Sequence, residues 1–107
     1  MVSNAYAEAR IVIECNDNGT QQELNACALK GYKASDQALN EKYQKVMHAL
    51  NMKQRHMLRQ EQRLWIKQRD YQCKQEAKDS EGGSIWPLVY YGCLDAVTKQ
   101  RTKALGK

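Results

Sequence analysis

Residues 20–78 contain no proline and a single glycine, and apolar side chains recur through them at helical spacing. Read without a break, this stretch would be one helix of about 60 residues, and its stripe would need a partner chain to cover it. Read with one break, it becomes two helices that fold back on each other. The best break is Asn51-Met-Lys-Gln54, where Asn51 can close one helix or cap the next. Before it, Leu24, Ala28, Tyr32, Leu39, Tyr43, Val46 and Leu50 share one face, and Thr20-Gln-Gln-Glu23 has the form of a capping box. After it, Met57, Leu58, Trp65, Ile66, Arg69 and Cys73 share another.

The second helix stops at Asp79-Ser-Glu-Gly-Gly-Ser84, because glycine just past a helix ends it. Ser84 can cap a third helix, with Pro87 tolerated in its first turn and Leu88, Val89, Cys93, Ala96 and Val97 inward. Phe is absent and Pro occurs once, a composition that favours helix over sheet. The expected fold is all-α: a long antiparallel hairpin (about 20–50 and 54–78) plus a third helix (about 85–104), stapled by two disulfides. The chain of 107 residues suits one domain, here residues 20–107 after an N-terminal segment 1–19.

Each hairpin helix carries one charge within its apolar stripe, Asp36 in the first and Arg69 in the second. Folding the chain about residues 52 and 53 sets Tyr32 opposite Cys73, Leu39 opposite Ile66, and Asp36 opposite Arg69. The expectation is a largely buried Asp36–Arg69 ion pair that fixes the register.

The four cysteines, Cys15, Cys27, Cys73 and Cys93, include no C-x-x-C and no Cys/His cluster, so zinc is disfavoured and disulfides are favoured. In the hairpin register Cys27 lies roughly 7.5 Å along the axis from the level of Cys73. With helices about 8–10 Å apart, that exceeds the Cα limit of about 7 Å for a bridge. Cys27 is left to pair with Cys15 or Cys93. The local scheme, Cys15–Cys27 with Cys73–Cys93, is preferred because it needs only short reversals. Disulfides imply an oxidising compartment. No stretch is long and apolar enough for a signal peptide or a membrane span. The expectation is therefore a periplasmic or secreted protein in mature form, without a signal peptide.

Nothing in the sequence is arranged for catalysis. His48 and His56 flank the hairpin tip without a metal spacing or an acid–base partner, and no phosphate-binding glycine loop or nucleophilic serine motif occurs. The chain reads as a non-enzyme without a cofactor. Two binding features remain. Clustered aromatics are favoured at interfaces, which makes Trp86, Tyr90 and Tyr91 candidate partner contacts. Arg55, Arg59, Arg63 and Lys67 recur every four residues as a slanting basic ridge, in a chain of net charge +5. That ridge could hold an anionic envelope polymer or nucleic acid, although it lacks the interleaved aromatics that stack on bases.

Taken together, Glu23-Leu-Asn-Ala-Cys27, Tyr32, Asp36, Leu39-Asn40, Tyr43, Gln62-Arg63-Leu-Trp65-Ile, Arg69-Asp70, Cys73, Gly83-Ser-Ile, Cys93, Thr98 and Arg101 form a pattern. It resembles the LprI-type lysozyme-inhibitor family over residues 15–105. The resemblance implies a small helical bacterial domain of the periplasm or exterior, with a lysozyme or related peptidoglycan-cleaving enzyme as its partner. Inhibition would be steric, a rigid surface covering the substrate cleft. The motif residues themselves face inward on a helical wheel, so they read as determinants of the fold.

Overall fold

A computed structural model describes residues 12–106. Three helices account for most of them: α1 (Gln21–His48), α2 (Met52–Glu76) and α3 (Trp86–Ala104), with a single 3-10 turn at Lys78–Ser80 before α3. The described residues contain no strand. Of the N-terminal segment, residues 1–11 lie outside the described residues. The rest is irregular up to the turn at 16–19, where the Gly19 amide donates to the Asn16 carbonyl.

Local chemistry sets the helix starts. Thr20 accepts from the Glu23 amide while the Glu23 carboxylate accepts from the Thr20 amide. Asn51 and Gln54 repeat this reciprocal box at the start of α2. Each box satisfies two amides that the first helical turn leaves without partners. The chain reverses between the two helices in three residues, and the Arg55 Nε closes the corner by donating to the Met47 carbonyl at 2.9 Å. Helix α3 starts differently from the expectation. Its N-cap is Ile85, with no side-chain cap and Pro87 in the first turn. The Ser84 carbonyl instead accepts from the Asn25 side chain of α1 at 2.7 Å.

α3 is the centre of the packing. Its start touches the start of α1 through Asn25–Ser84, its middle through a hydrogen bond from Ser35 to Asp95, and its end through Gly106 against Val46. α1 and α3 therefore run parallel, and this is the closest helix pairing. Gly31 lies at this seam, where a Cβ would stand 3.7 Å from the Asp95 carboxylate, in ordinary contact. Against α2, α3 runs antiparallel, joined by Cys73–Cys93, by Arg69 with Thr98, and by Arg101 with Glu61 and Gln62. The two hairpin helices thus share α3 as their main partner.

The interposed helix turns the buried face of α2 relative to the expected one. Gln62, Arg69 and Cys73 are buried and Trp65 is half-buried, but Met57 and Ile66 are exposed. On α3, Leu94 and Thr98 are buried and Ala96 is exposed. The α1 stripe lies as expected, with Leu39 fully inside. The buried apolar set is small: Leu39, Cys73, Ala77, Cys93, Leu94 and Leu105. The Cα radius of gyration is 17.2 Å, against about 13 Å for a compact chain of this size. A slender core leaves much of the stability to staples and polar contacts.

Both disulfides of the local scheme are present. Cys15–Cys27 has its Cα atoms 4.4 Å apart, and Cys73–Cys93 has them 5.5 Å apart. They differ in access: Cys15 is exposed, whereas Cys73 is 0% and Cys93 8% exposed. Limiting reductant should open Cys15–Cys27 first and leave helicity unchanged, as read by alkylation mapping alongside circular dichroism. Replacing both Cys73 and Cys93 by alanine should cost about 3 kcal/mol in chemical denaturation.

Candidate functional site

Arg69 is 7% exposed, and its guanidinium is used on every side. Nε and Nη2 each lie 3.0 Å from Asp70 Oδ1, and Nη1 lies 3.4 Å from Thr98 Oγ1. The faces of the cation are covered by Tyr32 and Trp65, with centroids 5.5 and 5.2 Å from Cζ. Such cation–π contacts strengthen as the cation is desolvated. Asp36 is not the ion-pair partner. It is half-buried and makes no ion pair among the described residues. The reason is α3: Thr98 occupies the space between the hairpin helices, and Asp70 supplies the charge from within α2.

A second arginine completes the arrangement. Arg101 lies over the Trp65 ring, with Cζ 5.5 Å from its centroid, and donates to Gln62 and Glu61. Gln62, Trp65, Arg69, Thr98 and Arg101 thus form one interhelix network. All five stand in the sequence pattern described above, though their mutual contacts depend on the place of α3. The Ser35–Asp95 hydrogen bond was not foreseen. Its sequence signals are Asp95, an acid two residues past Cys93 in an otherwise apolar stretch, and Ser35, a polar residue on the α1 stripe between Tyr32 and Leu39.

Beyond Tyr32 the aromatic contacts continue outward. Tyr32 stacks on Tyr91 at 6.1 Å, Tyr90 meets Tyr91 edge-on at 5.3 Å, and Trp86 stacks on Tyr90 at 4.6 Å. The structure therefore brings Trp86, Tyr90 and Tyr91 together, all half-buried, with Tyr90 and Tyr91 packed on the Cys73–Cys93–Leu94 cluster. Burial pushes the Tyr32 and Tyr90 phenols above the ordinary phenol value, and the Asp70 carboxylate adds to the rise at Tyr90. Both are neutral hydrogen-bonding groups at physiological pH. The chain that leads into Trp86 carries Asp79 and Glu81, both exposed.

The basic ridge is shorter than its spacing suggests. Arg55 is half-buried and committed to the Met47 carbonyl, so it leaves the ridge. Arg59, Arg63 and Lys67 are exposed. His48 and His56 are also exposed; His56 lies 3.3 Å from the Gln60 amide and has no carboxylate beside it among the described residues. The sulfurs of Cys15 and Cys27 lie near Asp17, but a disulfide offers no thiolate to a metal.

The family model described as Lysozyme inhibitor LprI matches residues 14–105. An uncharacterized protein of Rhizobium meliloti (strain 1021) is 32% identical over 105 residues, covering 86% of this chain and 76% of that protein. No solved structure matches the chain.

Arg69→Ala, which removes the cation from between two rings and two polar partners, should cost about 3 kcal/mol. Asp36→Asn should change stability by no more than about 0.5 kcal/mol. Urea denaturation of the two variants side by side identifies which carboxylate the arginine uses.

Proposed function

The chain belongs to the LprI family of lysozyme inhibitors, and on that premise we propose that it is an extracytoplasmic, non-enzymatic protein that blocks the substrate cleft of a lysozyme or related peptidoglycan-cleaving enzyme. The match over residues 14–105 carries this reading, because it spans all three helices and both disulfides. Disulfides in a small domain also suit the periplasm or the exterior. No helix among the described residues is long and apolar enough to cross a membrane.

The proposed contact surface is the Trp86–Tyr90–Tyr91 cluster. Aromatic groups already fixed by stacking lose little freedom on binding, which favours affinity. The cluster is anchored on a buried disulfide, so reduction should loosen it. A net charge of +5 repels a basic enzyme at long range. The exposed Asp79 and Glu81 beside the cluster offset this locally and would steer the encounter. Binding of a soluble polyanion through the basic ridge is the weaker reading, since Arg55 is spent at the hairpin corner.

Titration of oxidised protein into a lysis assay with several lysozyme types should give near-stoichiometric inhibition of at least one, lost on full reduction. Trp86→Ala should weaken that inhibition by about thirtyfold with helicity retained, and Asp79→Asn with Glu81→Gln should slow association most at low salt. A folded, oxidised protein that inhibits no lysozyme would remove the proposal.

A further inference from the structure

Helix α2 has a second ordered face, on the side away from the bundle. Met57, Leu64 and Tyr71 are 61%, 57% and 67% exposed. They are seven residues apart, and so form a nearly straight apolar row about 21 Å long. The row lies opposite the buried Gln62, Arg69 and Cys73. Arg63 and Lys67, both exposed, lie about 100° and 60° around the helix from it on one side, whereas Arg59 lines the crevice with Gln44, Met47 and His48 of α1. Neither Arg63 nor Lys67 pairs with a carboxylate among the described residues; Glu61 is engaged by Arg101 and Asp70 by Arg69.

We propose that this outer face of α2 docks on an anionic phospholipid bilayer. The three apolar side chains enter the boundary between headgroups and acyl chains, and Arg63 and Lys67 meet lipid phosphates. The charge pattern and the apolar row fit this occupant jointly. A second copy of the chain fits poorly. Positions midway along the row are Gln60, Glu61, Lys67 and Gln68, so the face lacks the second apolar set of a coiled-coil seam. Two copies would also bring their cations together. A soluble polyanion would use the cations and gain nothing from Met57 and Leu64. A helix with cations flanking an apolar line is the pattern of an interfacial helix, which lies in the plane of the membrane. Here the helix is held rigid in a bundle, so it loses no conformational freedom by ordering at the surface.

The test is co-sedimentation of the full oxidised chain with vesicles of phosphatidylglycerol in phosphatidylcholine, and with phosphatidylcholine alone. Binding is expected to the anionic vesicles and not to the neutral ones. Neutralising Arg63 and Lys67 to glutamine should weaken it about twenty-five-fold, at roughly fivefold per cation. Met57→Gln with Leu64→Gln should weaken it about tenfold. Leu64→Trp should shift its emission to the blue on binding. All these positions are exposed, so circular dichroism should be unchanged. Absence of binding to anionic vesicles, or variants that bind as the parent does, would overturn the proposal. So would equal binding to soluble polyphosphate with no effect of the apolar substitutions, which would assign the face to a polyanion. No enzyme is present in this assay, so its failure leaves the inhibition reading untouched.

Discussion

A guanidinium that has left water must have its charge and its hydrogen bonds answered nearby. In this chain the group is Arg69, and the answers come from all three helices. Tyr32 reaches it from α1, Trp65 and Asp70 from α2, and Thr98 from α3. These contacts are satisfied together only in one relative placement of the helices. Apolar packing alone would tolerate a slip of one helix past another, because the buried apolar residues are few and scattered. The cation does not tolerate it. The aromatic cluster offered as the contact surface begins at Tyr32 and so inherits the same constraint.

The helix starts were legible because their signals are local. Thr20 with Glu23, and Asn51 with Gln54, each need only four residues to declare themselves. The disulfides were legible for a similar reason: the excluded pairing was ruled out by distance along helices, and the short reversals it left are present. Arg69 was legible as an anomaly, since a charge within an apolar stripe must be compensated. Its partner was not, because that choice depends on a helix from elsewhere in the chain. A hairpin that packs only on itself puts Asp36 opposite Arg69. With α3 between the two helices, Thr98 fills that position and Asp70 takes the charge.

The same helix explains the other departures. Once α3 lies against both hairpin helices, α2 turns Gln62 inward and leaves Met57 and Ile66 outside. Ser35, a small polar residue on α1, becomes an interior contact because Asp95 comes to meet it. Ser35 stands on the α1 stripe, three residues after Tyr32 and four before Leu39, but its place there does not name Asp95 as its partner. The aromatic trio was legible as a cluster, since the residues fall within six positions. The use of Arg55 at the corner was not, because a row of cations at four-residue steps gives no hint that its first member has turned toward a carbonyl.

The parallel pairing of α1 with α3 has a consequence in time. Of the three described helices, the one made first has its closest partner in the one made last. Contacts such as Asn25–Ser84 and Ser35–Asp95 span 59 and 60 residues. At a synthesis rate of about 5–20 residues per second, α1 waits roughly 3–12 seconds for the chain that covers it. During that wait its half-apolar face is open to α2 alone, with which it shares a corner but little interior. Such an ordering resembles a clasp more than a zipper. The three helices cannot settle progressively from α1 onward, and the closing event belongs to α3.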